Sequence, residues 1–221
     1  MTSGAVPSGA VSSDAERAST AADSSVEDLL AEARDGVLRD LPAPAPLVHR
    51  ETAMVGKVWD IVRDTARVAG GEIVREYMRH TGAVLVLAID DDDRVVLINQ
   101  YRQPIGEREW EIPAGLLDVE GEDPLLAAQR ELAEETDLVA DEWSGPHAFH
   151  SSPGGSDELI QVFTARGVHD APGVHERTDE EAEIVVRRVP FDEVVAAVLD
   201  GRLRNGPLQV AVLVEDARRR R

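Results

Sequence analysis

The chain has 221 residues, a formal net charge of −20 at pH 7 and no cysteine, which is long enough for one core-bearing domain with an appendage. The acidity argues against nucleic acid as a partner, because phosphate backbones demand a basic footprint, and the missing cysteine removes disulfide frameworks and thiolate chemistry. No apolar run approaches the roughly 18 residues of a membrane span, and no basic segment leading into an apolar one opens the chain as a secretory signal would, so a cytoplasmic protein without membrane partners is expected.

Residues 1–46 are rich in Ala, Ser, Asp and Pro and hold no aromatic side chain. They read as a disordered, low-complexity tail without chemistry. Within it, Ser25 ahead of Val26-Glu27-Asp28 marks a capping box for a short amphipathic helix through about Asp40. The alternating prolines of Leu41–Pro46 make an extended linker. Residues 47–80 are assigned to N-terminal strands and 81–221 to the main domain. Val58–Asp64 mixes β-formers with charge, Gly70-Gly71 punctuates, and Ile73–Met78 returns. Ala83–Ile89 is nearly all apolar, as in a strand buried on both faces. Four aspartates, Asp90–Asp93, then form a solvated hairpin turn rather than a metal site, with Val95–Ile98 as the paired strand. Asp123 as N-cap and Pro124 in the first turn open a helix whose apolar side carries Leu125, Ala128 and Leu132. Leu159–Thr164 and Ile184–Val189 are further strands. Helices follow from Pro190 to about Asp200, with Gly201 as stop signal, and from Pro207 to about Arg218. The alternation of strands and helices predicts an α/β fold.

The chemistry concentrates in Arg130-Glu131-Leu132-Ala133-Glu134-Glu135. On a helix, Glu131, Glu134 and Glu135 fall at i, i+3 and i+4 and share one face. Like charges so placed repel, and a divalent cation reverses the sign of that cost. Hard carboxylate oxygens at this spacing suit Mg²⁺, which uses a few carboxylates together with waters and substrate phosphates. Glu131 and Glu135 are therefore the leading metal ligands, and Glu134 is either a third or a group that supports them. Arg130 cannot ligate a cation but can pair with Glu134 one turn away and aim the carboxylates. Mn²⁺ is an alternative metal.

This stretch resembles the box of the Nudix hydrolases. That box runs glycine, a spacer, glutamate, seven residues, then Arg-Glu-apolar-any-Glu-Glu-any-Gly-apolar. Gly115 opens it here, Glu122 is the first glutamate, and Arg130–Leu138 completes it. The spacer holds six residues where five are usual, and Asp137 stands where a glycine is usual. Gln100-Tyr101-Arg102, Trp110–Gly115 and Ser152-Pro153-Gly154-Gly155 are similar to segments of the family's ADP-ribose pyrophosphatase branch. The resemblance implies an α/β/α sandwich of mixed β-sheets, to which composition adds a largely disordered N-terminal extension. It also implies Mg²⁺-dependent hydrolysis of ADP-ribose to AMP and ribose 5-phosphate. A different nucleoside diphosphate sugar, a dinucleotide, or a non-catalytic nucleotide-sugar-sensing module are the alternatives.

The same resemblance adds the Ala114 carbonyl to the metal ligands, with Gly115 following in a tight turn, and makes Glu122 a structural tie. It draws the general base from the late acidic stretch, where spacing leaves Glu180 and Glu181 both open. Arg102 suits a substrate phosphate, because its fork matches phosphate oxygens. Glu111 could accept a ribose hydroxyl or support the metal. Trp59 offers a face for adenine, and Arg75 is a further binding candidate. A homodimer is implied, with Trp59 and Arg75 serving the partner's site.

Overall fold

The computed structural model describes residues 26–175, 177 and 182–221. The described residues form two compact units, one from residues 26–51 and 63–75 and the other from those of 52–62 and 76–221. In the smaller, helix α1 (Val26–Asp35) buries no side chain. It stops well short of Asp40, because Gly36 follows at once and its N–H closes the last turn on the Glu32 carbonyl at 2.8 Å. The expected capping Ser25 lies outside the described residues.

Strands β1 (Leu47–Met54), β2 (Asp60–Val68) and β3 (Gly71–Arg79) pair in that order. Every residue of β1 is exposed, so its hold is backbone pairing reinforced by ions rather than a core. Arg50 grips Asp64 with two bonds of 2.7 Å.

The larger unit carries the fold proper. One sheet has the order β7 (Ala114–Leu116), β4 (Ala83–Ala88), β9 (Leu159–Asp170), β8 (Leu138–His150). It is mixed: β4 runs parallel to β9, while β7 and β8 are antiparallel to their neighbours. A second, antiparallel sheet has the order β10 (Val185–Pro190), β5 (Arg94–Arg102), β6 (Glu107–Glu111).

Strand β4 is buried throughout and divides by the two-residue period of a strand. Ala83, Leu85 and Leu87 enter one core with residues of α3 (Phe191–Leu199) and α4 (Gly206–Arg219). Val84, Val86 and Ala88 enter the other, with Ala127, Ala128 and Leu132 of α2 (Pro124–Thr136). Helices thus cover both faces, and the expected α/β/α sandwich is what the chain forms. Leu125 packs against the second core as its position on the apolar side predicts.

The four-aspartate turn forms between β4 and β5, but it is not simply solvated. Asp90 is only 6% exposed, and its carboxylate accepts from the Asp92 and Arg94 backbone N–H groups and from Arg94 Nε. Asp93 takes a left-handed φ of 56° and pairs with Arg219 at 2.8 Å. That guanidinium lies 3.7 Å over the Phe191 ring and fastens the last helix.

Candidate active site

Helix α2 begins and ends on side chains that read as boundaries in the sequence. Asp123 accepts the Leu125 N–H as N-cap, with Pro124 in the first turn. At the other end Asp137 adopts φ 57°, ψ 33°, and its N–H bonds the Ala133 carbonyl. This is the left-handed position a glycine would fill, which Asp tolerates better than most residues.

The acidic face of α2 lies against β7. Glu135 is 4% exposed, and its Oε2 accepts the Ala114 N–H at 2.9 Å. Gly115 has no positive φ; it lies within β7 rather than in the expected tight turn. Its glycine requirement is steric. A Cβ there would sit 1.9 Å from Glu131 Oε1 and 2.0 Å from Glu131 Cδ. The missing side chain therefore lets the Glu131 carboxylate rest on the strand backbone beside Ala114.

Arg130 holds the cluster together. Its Nη1 donates to Glu131 Oε1 at 2.7 Å and to Glu134 Oε2 at 3.0 Å, the one-turn pairing expected from sequence. Nε and Nη2 bind the two oxygens of Glu122 at 3.1 and 3.0 Å. Glu122 thus ties the box loop to its helix. The Arg130 hydrogen bonds hold the Glu122 carboxyl below its ordinary pKa, and those to Glu122 raise the guanidinium's further.

Among the described residues no three Asp, Glu, His or Cys side chains are arranged to hold a metal ion. Arg130 is instead the counter-ion of Glu131 and Glu134. The donors still fit a hard cation. Glu131 lies against Gly115 and Glu135 accepts from Ala114, adjacent residues of β7, so two carboxylates converge on one short stretch of strand backbone and offer hard oxygen donors.

Arg102 and Glu111 come together as a bidentate pair across β5 and β6, with both bonds at 2.8 Å. Glu111 is 5% exposed, so this guanidinium is already aimed by a buried carboxylate. Two residues before Arg102, Gln100 is buried, and its Oε1 has no partner among the described residues.

Trp59 lies one residue ahead of β2 rather than inside a strand. It is 39% exposed, and its ring stacks on His80 at 5.5 Å and 26°. Arg75 belongs to the smaller unit, exposed on β3, where its guanidinium donates to the Val74 carbonyl at 2.8 Å.

Glu180 and Glu181 lie outside the described residues. The residues on either side of them are held in ways the sequence did not disclose. Asp137 accepts the His175 N–H at 2.8 Å and pairs with Arg177, whose Nε also reaches the Glu134 carbonyl at 3.1 Å. Arg108 binds the Glu183 carboxylate at 3.0 Å and its carbonyl at 2.6 Å. The only signal for the first clamp was an acidic residue at a glycine position.

Comparison with known proteins places the chain in a family. Residues 78–209 match the NUDIX domain. The chain is 40% identical over 171 residues to the ADP-ribose pyrophosphatase of Mycobacterium tuberculosis, covering 77% of this chain and 82% of that one. It is 33% identical over 169 residues to the methanol dehydrogenase activator of Bacillus methanolicus, covering 75% and 89%. The crystal structure of an ADP compounds hydrolase superposes with a TM-score of 0.68 at 20% identity, over 81% of this chain and 96% of that one, and shows the same fold. The chain belongs to the NUDIX family. It is an enzyme of that family, a hydrolase acting on pyrophosphate bonds.

Proposed function

We propose that this hydrolase cleaves ADP-ribose to AMP and ribose 5-phosphate. The observation that carries the reading is the close seat of Glu131 and Glu135 on the Ala114–Gly115 backbone, a cluster of hard oxygens. Its similarity to the Mycobacterium tuberculosis ADP-ribose pyrophosphatase supports the substrate.

A pyrophosphate resists hydrolysis because its charge repels the incoming nucleophile. Glu131, Glu135 and the Ala114 carbonyl would hold a divalent cation, Mg²⁺ or Mn²⁺. When bound, that cation screens the phosphates and acidifies a water. Arg130 aims Glu131 and Glu134 and keeps them from repelling one another. Arg102, oriented by Glu111, binds a phosphate oxygen; Glu111 stays within reach to support that contact. Trp59 stacks on adenine, and Arg75 takes a charged or polar group of the substrate in the homodimer. A carboxylate at Glu180 or Glu181 accepts the proton of the attacking water. The bridging P–O bond then breaks and its electrons leave with the departing phosphate. Among the described residues no helix is long and apolar enough to cross a membrane, and a cytoplasmic site of action fits a soluble nucleotide substrate.

The test is AMP release from ADP-ribose, ADP-glucose, NADH and GDP-mannose, with Mg²⁺ and with chelator. Chelator-sensitive release from ADP-ribose above the rest is expected. A different preferred substrate would overturn the subclass and keep the chemistry. Tight ADP-ribose binding without turnover would make the protein a sensing module.

A further inference from the structure

We infer that His80 is a positioning residue for nucleobase recognition, bracing the Trp59 indole from behind and tying it to the Ser-Pro-Gly-Gly loop. This rests on the reading that Trp59 stacks on the base.

His80 follows the last residue of β3, and its side chain is 3% exposed. Each part of the ring is occupied. Nδ1 accepts the Gly82 N–H at 3.0 Å. A neutral imidazole with an accepting Nδ1 carries its proton on Nε2, and that nitrogen faces Glu158 Oε1 at 3.4 Å. One ring face lies against Trp59. The backbone is held as firmly, since the His80 N–H donates to Asp157 Oδ1 at 2.7 Å. Gly82 can turn its N–H back on the ring because its φ is +93°.

The braced side leads directly into the loop after β8. Glu158 accepts the Ser151 hydroxyl with its other oxygen, and its own N–H donates to Ser156. Met78 N–H donates to the Gly155 carbonyl at 3.0 Å, and Met78 bridges Ser156. His80 therefore joins Trp59, the residue offered to adenine, to the loop that holds the Ser152–Gly155 segment.

The backbone of Trp59 is fixed from its other side. A Cβ on Gly56 would fall 1.9 Å from the Trp59 carbonyl oxygen, and Asp60 accepts the Gly56 N–H at 3.3 Å while pairing with Arg79 at 2.8 Å. With its backbone set by that turn and one face set by His80, the indole keeps a single orientation and its remaining surface is ready for a base. Immobilising such a side chain during binding would otherwise weaken affinity by about three- to ten-fold.

The experiment compares H80Q, which removes the stack, H80F, which keeps a ring against Trp59, and W59A. For each, kcat and KM for ADP-ribose are measured, with inhibition by AMP, which carries the base, and by ribose 5-phosphate, which does not. The expected result is that H80Q raises KM and the AMP inhibition constant about three- to ten-fold, as W59A does. The kcat and ribose 5-phosphate inhibition should hold, and H80F should recover most of the loss. If W59A weakens AMP but H80Q does not, the brace is wrong while the base platform stands. If W59A leaves AMP unaffected, the platform reading falls and the brace with it. A loss in H80Q equal for AMP and ribose 5-phosphate would show general unfolding and overturn the proposal, with thermal melting of H80F and H80Q as the check.

Discussion

Replacing Gly115 by Ala isolates the placement of one carboxylate. Alanine suits the strand conformation of Gly115, so the backbone itself carries no penalty. The new methyl would lie 1.9 Å from Glu131 Oε1 and 2.4 Å from Cγ, whereas ordinary van der Waals contact begins near 3.4 Å. The carboxylate must therefore retreat by about 1.5 Å, which also breaks its 2.7 Å bond to Arg130. Overpacking of this kind costs about 1–3 kcal/mol of stability. A misplacement of about 1 Å at reacting groups can lower rate by roughly 100-fold. Steady-state kcat at a series of Mg²⁺ concentrations, beside chemical denaturation of the same variant, separates the two effects. A folded Gly115→Ala protein should show rates down at least about 100-fold, with weaker metal dependence. Wild-type turnover at the same Mg²⁺ midpoint would refute the assignment of Glu131 as a metal ligand.

Other outcomes can be stated briefly. Glu135→Gln keeps an acceptor for the Ala114 N–H and should melt near the wild type, yet lose turnover by orders of magnitude; unchanged kcat would sink its role as ligand. For Asp137, the His175 N–H and then the Arg177 guanidinium lower the carboxyl pKa below 3.8. A folded pKa below the unfolded one gives stability that is full above the unfolded value and fades as pH falls through the folded one. Asp137→Asn should therefore destabilise at pH 6, with the gap to wild type closing below pH 3.8; a constant gap across a pH series of melting curves would contradict this. Gln100→Met removes a buried acceptor without a partner among the described residues and should change stability by less than about 1 kcal/mol in urea titration. A loss above about 2 kcal/mol would mean that the amide is satisfied after all.

Local chemistry made much of the protein legible in its sequence. The nearly unbroken apolar run Ala83–Ile89 showed a strand buried on two faces, and Asp123, Pro124 and Gly201 marked helix ends through the conformations they favour. The spacing of Glu131, Glu134 and Glu135 put carboxylates on one helix face because helical geometry alone requires it. Strand β8, Leu138–His150, was less readable, since its polar and aromatic residues lack clean alternation and its pairing partner is β9. What only the tertiary structure decided are contacts between residues far apart in the chain. Glycine at position 115 is required by a glutamate sixteen positions later, Asp137 reaches Arg177, and His80 joins Trp59 to Glu158. Sequence periodicity records which face a residue occupies within its own element; which foreign side chain meets that face depends on how the elements pack.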